Sequence, residues 1–462
     1  MRILIILFLA LSVGFELLSQ ATFSDKQFFE IILKNHPLAK QAQLQTQFGE
    51  KEILYAQGGF DPKIFTHTLQ KNFNSTSYYN LIHSGLKIPT WYGLEFKGGF
   101  ESNQGAFLNP EEKTPSSGLV YAGASVNLGK GLFIDQRRAE LFKAKVYYQS
   151  TFFEQKLQLN ELIYESGYAY WNWFLSYHSM IILDEAFQLA NIRYDAVKRT
   201  AELEDRPEID VVEAGLQVQN RESMLRNYEA EYKGSGFKIS TFLWNEQQVP
   251  LDLDSLTTPV KIEILEKDSV TLLSNQEIDT ALANHPYIQV TNFKIKGLEI
   301  ERKLKKEQLK PELAVNYNFL NQPIQNNPFA NLSMNNYKWG LTFEMPILLR
   351  KERGDLAKTN LKLKEEQFNL ENSKAYVEYK IRNAYVDYNN ALIQVEIFQK
   401  TVVDTKRLLD AEKAMFESGE SSLFLINARE LAYIQAKLKW VESIAKSKQA
   451  YLSLKFNLAQ LI

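Results

Sequence analysis

Cysteine is absent from the 462 residues. That excludes disulfides and thiolate metal sites, and it removes the lipidated cysteine of a bacterial lipoprotein. Histidine is scarce: His36, His67, His83, His178 and His285 are scattered, with no pair at metal-ligand spacing on a helix and no His-Glu-x-x-His. Charge of one sign is also lacking. Lys and Arg number 53 against 55 Asp and Glu, for a net charge of −2, so nucleic acid is not an expected partner. Gly123 to Gly129-Lys130 superficially resembles a phosphate loop. Five residues intervene where four are needed, however, and Gly131 replaces the required Ser or Thr. No Gly-x-Ser-x-Gly elbow is present. No catalytic residue, cofactor or metal is therefore expected, and the chain does not read as an enzyme.

Long hydrophobic runs are missing as well. After Phe23 no window approaches the ~20 apolar residues of a membrane helix. Before it, Met1-Arg2 and an apolar run over 3–15 precede Ser19-Gln20-Ala21, small residues suited to cleavage. Residues 1–20 read as a secretory signal peptide, the alternative being an uncleaved anchor. The mature chain is expected to be exported, and any membrane residence must come from a β-barrel.

What is present is helix of unusual length. In the last third, Val377, Ile381, Ala384, Tyr388, Ala391, Val395, Phe398, Val402, Thr405 and Leu409 alternate steps of four and three. That is the seam of a coiled coil, narrower than the stripe of a globular helix. No Pro or further Gly interrupts between Gly354 and Gly419, so this arm reaches roughly 95 Å at ~1.5 Å per residue. Gly419-Glu420-Ser421-Ser422 turns the chain, and the rhythm resumes with Phe424, Leu431, Ile434, Leu438, Val441 and Ala445. The hairpin occurs twice. Leu162, Ser166, Ala169, Trp173, Ser176, Met180, Leu183, Phe187, Ala190, Tyr194 and Val197 form an earlier seam, with a tip over 202–208 containing Pro207.

Other landmarks also recur. Ser24-Asp25-Lys26-Gln27 and Ser274-Asn275-Gln276-Glu277 have capping-box spacing, and Asn35-His36-Pro37 returns as Asn284-His285-Pro286. Pro311 follows Pro62 at the same offset, and each opens an extended stretch. The chain therefore reads as a tandem duplication. The first repeat is expected over 21–245, the linker over 246–273 and the second repeat over 274–462.

The extended stretches alternate with period two. Leu313, Val315, Tyr317 and Phe319 interleave with Ala314, Asn316 and Asn318, and Tyr337, Trp339, Leu341, Phe343 and Met345 with Lys338, Gly340, Thr342 and Glu344. Strands are expected at about 91–101 and 119–128 in the first repeat, and about 312–320 and 337–346 in the second. A strand between lipid and an aqueous lumen has this pattern. A soluble antiparallel sheet with one wet face shares it. The signal peptide, the aromatics and the even strand pairing favour the barrel. Residues 63–89 carry further extended pattern and are left unassigned. Helical hairpins follow at 134–245 and 351–458, so the strand number per half should be even.

Two acidic places stand out near the hairpin tips. Asp210 and Glu213, three apart, share a face past the first tip, while Glu417 and Glu420 flank the second. Helix solubility and dipole complementation account for such acids. The functional alternative is a carboxylate ring at a pore mouth.

The layout resembles the TolC-like outer-membrane efflux proteins. Signal peptide, Asn-His-Pro helix starts and the repeated order of helix, strand pair, long helix and return helix all match. So do Phe416-Glu417-Ser418-Gly419-Glu420-Ser421-Ser422-Leu423 with Ile426-Asn427-Ala428-Arg429, and the passage from Leu128 through Arg138 to Leu141. The resemblance implies an internally duplicated α+β membrane protein. Strand pairs would join a transmembrane β-barrel of twelve strands in a homotrimer, and coiled-coil hairpins would form a periplasmic α-barrel. It further implies a passive outer-membrane exit duct, partnered by a periplasmic adaptor and an inner-membrane transporter. Pro207, Gly419, Ser421 and Asn427 would mark the tips. Asp210-Val211-Val212-Glu213-Ala214 resembles the carboxylate-bearing return helix at the family's periplasmic entrance, but in the first repeat. Phe424 and Asn427 stand where the second repeat would carry acids, and residues 199–207 form a longer insert than the family's short glycine turn. The rival reading is an adaptor-like helical-hairpin linker of a transport complex, which would carry an anchor and one hairpin.

Overall fold

The computed structural model describes residues 22–204, 207–254, 256–265, 274–324, 327, 330 and 333–462. The signal peptide read at 1–20 lies outside the described residues, as do Asp205 and Arg206 of the first tip and residues 255 and 266–273 of the linker. In chain order the first repeat contains β1 (Thr22–Phe23), α1 (Asp25–Asn35), α2 (Pro37–Gln57), β2 (Lys63–Phe73), β3 (Thr76–Pro89), β4 (Leu94–Gln104), β5 (Leu119–Asn127), α3 (Gln136–Glu202) and α4 (Glu208–Ser240). After β6 (Thr258–Pro259) the second repeat contains α5 (Asn275–Asn284), α6 (Pro286–Glu307), β7 (Glu312–Asn321), β8 (Tyr337–Glu344), α7 (Arg350–Glu417) and α8 (Leu423–Asn457). Contacts divide the chain into two units: 1–43, 156–285 and 375–462 in one, 44–155 and 286–374 in the other.

Both repeats begin with the same local chemistry. Ser24 Oγ accepts from Gln27 N at 3.3 Å while Gln27 Oε1 accepts from Ser24 N at 3.0 Å. Ser274 and Glu277 do the same at 3.2 and 2.8 Å. Each box satisfies two orphan donors of its first turn. His36 and His285 then cap the short helices, and Pro37 and Pro286 start the next ones, where their missing N–H costs nothing.

The helical unit has one principal core. Phe28, Ile32, Tyr170, Trp173, Phe174, Leu183, Ile239 and Val441 are almost wholly buried in it. At about 1.5–3 kcal/mol for each fully buried large side chain, this cluster is the unit's main stabilising term. Tyr170 also ties the short strands. Its hydroxyl donates to Phe23 O at 2.7 Å and accepts from Val260 N at 3.3 Å, beside the parallel pairing of β1 with β6. Along the seam of α7, Val377, Ile381, Ala384, Tyr388 and Leu409 are buried. Ala391, Val395, Phe398, Val402 and Thr405 between them are only half-buried.

The second unit is built on a six-stranded antiparallel sheet in the order β2-β3-β4-β5-β7-β8. Residues 63–89 supply its first two strands, so four strands come from the first repeat and two from the second. Asn74 (φ 51°) and Ser75 (φ 57°) turn β2 into β3 with both central φ positive, as a two-residue type I′ turn requires. One face of the sheet carries Phe96, Phe100, Val315, Tyr317, Trp339, Leu341 and Phe343, and the opposite face Glu95, Lys97, Glu101, Asn316, Asn318 and Lys338. Trp339 is 63% and Phe343 66% exposed, far more apolar surface than a water-facing sheet normally leaves open. Among the described residues no helix is long and apolar enough to cross a membrane.

Candidate functional site

The tips of the two hairpins lie within the helical unit, and their turns are made differently. At the second, Gly419 takes a φ of 78°. Glu420 N donates to Met415 O at 2.9 Å and Gly419 N to Phe416 O at 3.0 Å, which is a Schellman motif. Ser422 then caps α8. Behind the turn, the buried Glu412 carboxylate accepts from Ser421 Oγ and, at 3.4 Å, from Arg429 Nε. At the first tip Pro207 occupies the N-cap of α4, with no side-chain cap. The ends of the hairpins share a small core of Val197, Ala214 and Leu423, flanked by Tyr194, Val211 and Phe416.

Above that core runs a polar bridge between the repeats. Arg193 of α3 donates to Glu430 of α8 and, at 3.2 Å, to Asn427 Oδ1. Asn427 Nδ2 donates onward to Glu213 Oε1 of α4 at 3.0 Å. Asn427 is 5% exposed and Glu430 8%, so the bridge is largely desolvated. Arg221, also buried, sits in the field of Glu430 and Arg193. Burial pulls its guanidinium below the ordinary value, and Glu430 opposes that shift. A buried pair of this kind is held by geometry, since breaking it strands a charge away from water.

The candidate acids are thus not equivalent. Glu213 is half-buried and bound to Asn427, whereas Glu417 and Glu420 are exposed at the second tip. Asp210 is half-buried on the first turn of α4, whose N-terminus favours an acid there. Asn427, singled out in the sequence as a tip residue, is brought against Glu213. Arg193, Arg221 and Glu430 were not singled out. Their signal was weak, because charged residues on long helices ordinarily belong to solvated faces. No group of His, Cys, Asp or Glu among the described residues could hold a metal ion.

No family model and no curated protein matches the sequence. The fold, however, is that of the TolC-like outer-membrane efflux channels. The CmeC outer membrane channel of Campylobacter jejuni is similar with a TM-score of 0.67 at 14% identity, over 94% of this chain and 85% of that one. The MtrE outer membrane channel of Neisseria gonorrhoeae, in its open state, gives 0.67 at 11% identity, over 94% and 88%. The outer membrane protein VceC of Vibrio cholerae gives 0.65 at 10% identity, over 94% and 96%. At these identities the likeness is one of fold.

Proposed function

We propose that the protein is a homotrimeric outer-membrane channel, the exit duct of a multicomponent efflux or export system. The observation that carries this reading is the open sheet with one aromatic face, joined in one chain to two long helical hairpins. Open edges cannot stand in lipid, so the sheet needs further copies to close. The half-buried middle of the α7 seam likewise wants neighbouring helices. Closure in the outer membrane puts the hairpins in the periplasm, where their tips would meet an adaptor and, through it, an inner-membrane transporter. The chain is a passive conduit in this reading. Energy would come from the transporter.

Asp210 and Glu213, repeated three times around an axis, would line the periplasmic entrance as a cation-attracting ring, with Glu417 and Glu420 at the neighbouring tip. The bridge from Arg193 through Asn427 to Glu213 would hold α4 against α8 and keep that entrance narrow. The test is a detergent-solubilised mass measurement with planar-bilayer recording. A trimer that conducts supports the proposal, and a monomer soluble without detergent defeats it. Within a conducting trimer, replacing both Asp210 and Glu213 by Ala should lower cation selectivity and block by multivalent cations. Unchanged selectivity would reject the ring.

A further inference from the structure

We propose that this chain contributes six strands to the membrane ring, eighteen in the trimer, and that the ring closes by pairing β8 of one copy with β2 of the next. The inference rests on the trimeric-channel reading and departs from the four strands per chain that the family resemblance implies.

The β2–β3 hairpin belongs to the sheet. β3 pairs with β4 in continuous register from Asn80↔Gln104 to Pro89↔Glu95. The edge of β4 that a neighbour's β8 would need in a twelve-stranded ring is therefore occupied. The joint is also locked by side chains from three strands. Gly85 of β3 lies opposite Gly99 of β4, which lies opposite Tyr121 of β5. A Cβ at Gly99 would stand 2.7 Å from the Tyr121 hydroxyl, and one at Gly85 2.8 Å. Two bare positions in a row give the tyrosine a path across β4. Its hydroxyl reaches His83 Nε2 on β3 at 2.8 Å, and Glu101 lies 3.5 Å from the same nitrogen. Tyr121 is only 6% exposed. A loosely appended hairpin would have no use for this arrangement.

The hairpin also suits the membrane. Ile82, Leu86 and Ile88 of β3 share the face of Phe96 and Phe100, and on β2 that face carries Ile64, Thr66 and Thr68. β2 has 11 residues and β3 has 14, enough for the ~9–11 of a spanning strand. β2 and β8 are the two edges of the sheet, separated by five successive antiparallel pairings. They therefore run in opposite directions, and β8 would meet the next β2 in the same antiparallel sense as every other pair. Six is also even, so the flanking helices stay on one side. At equal tilt, barrel diameter grows roughly linearly with strand number, so this ring would be about 1.5-fold wider than one of twelve.

The lack of native cysteine makes the seam testable by oxidative cross-linking of the full-length protein. Leu341→Cys on β8 is combined with Ile64→Cys, Thr66→Cys or Thr68→Cys on β2, and separately with Phe96→Cys or Phe100→Cys on β4, all on the aromatic face of the sheet. Non-reducing electrophoresis should show covalently linked multimers for at least one β8–β2 combination and none for β8–β4. Cryo-electron microscopy of the unmodified protein, which does not depend on the variants folding, should count eighteen strands. A β8–β4 link or a twelve-stranded trimer overturns this inference and leaves the channel reading intact. A particle that is not a trimer overturns the channel reading, and this inference with it.

Discussion

The two repeats begin alike and then diverge. Each opens with a capping box, a His-Pro helix break and a second helix, yet the first continues into four strands and the second into two. Their tips differ as well, one a Schellman turn at Gly419 and the other with Pro207 as the N-cap of its return helix. The conserved part is where backbone N–H groups have few alternative partners, so a change costs stability at once. The divergent part is where the chain can add a whole hairpin and return to the same side. What the two halves share is therefore the helix entry, and where they differ is the strand number.

The largest expected effect falls where the repeats are joined. Arg193→Ala leaves Glu430 buried with Arg221 as the remaining arginine near it and removes one partner of Asn427. Breaking a buried pair costs about 3–5 kcal/mol, and the remaining arginine should hold the loss near the lower end. Lys374→Ala, which removes an exposed pair with Glu371 within α7, should cost no more than about 0.5 kcal/mol. Thermal unfolding of both variants tests the contrast. Equal shifts would mean that the bridge is not buried in the folded protein.

The sheets provide the next contrast. A Cβ at Gly99 would lie 2.3 Å from Ser84 O as well as against Tyr121, whereas one at Gly340 meets nothing within 4 Å. Gly99→Val should destabilise by about 1–3 kcal/mol or more, by overpacking. Gly340→Val should be neutral or slightly stabilising, since valine suits a strand. Thermal unfolding of the detergent-solubilised protein reads both. A tolerated Gly99→Val would show that Tyr121 does not cross the sheet there.

The tips rank third. Gly419→Ala has room for its methyl group, so its cost is the left-handed backbone alone, about 1–2 kcal/mol. Pro207→Ala keeps an ordinary φ of −63° and loses only rigidity of the unfolded chain, about 0.4–1 kcal/mol. If denaturant unfolding ranked Pro207→Ala as the more damaging, the first tip would be the more tightly built one.

The divergence also explains what could be read from the sequence. Caps, helix breaks and the two long hairpins were legible because their signals are local: Ser24 with Gln27, His36 with Pro37, a seam of regular steps. The β2–β3 hairpin was not assigned. Phe65 and Leu69 share a face with Lys63, His67 and Lys71, so neither side of β2 reads as apolar. The residues that fix it in place, Gly85, Gly99 and Tyr121, have meaning only once three strands are aligned. Arg193 and Glu430 stayed hidden for a similar reason. They are 237 positions apart and look like surface charges until α3 and α8 are brought together.

The smallest expected effect separates the two helix starts themselves. Gln27 closes the first box with a neutral amide, and Glu277 closes the second with a carboxylate. The backbone N–H of Ser274, and then its hydroxyl, hold the Glu277 carboxyl below its usual value. A depressed folded-state value means that the stabilisation is fully present above the unfolded carboxylate range. It is lost as pH falls through the lower, folded value. Acidification from neutral pH to about 3 should therefore weaken the capping box of α5 and leave the box of α1 closed, because a glutamine amide does not titrate in that range. Hydrogen-exchange protection factors for Ser274 and Glu277, compared with those for Ser24 and Gln27 at both pH values, would read the difference. Glu277→Gln should make the two starts respond alike. If the native starts already lose protection together on acidification, the response comes from elsewhere in the fold, and the two capping boxes are equivalent in practice as well as in spacing.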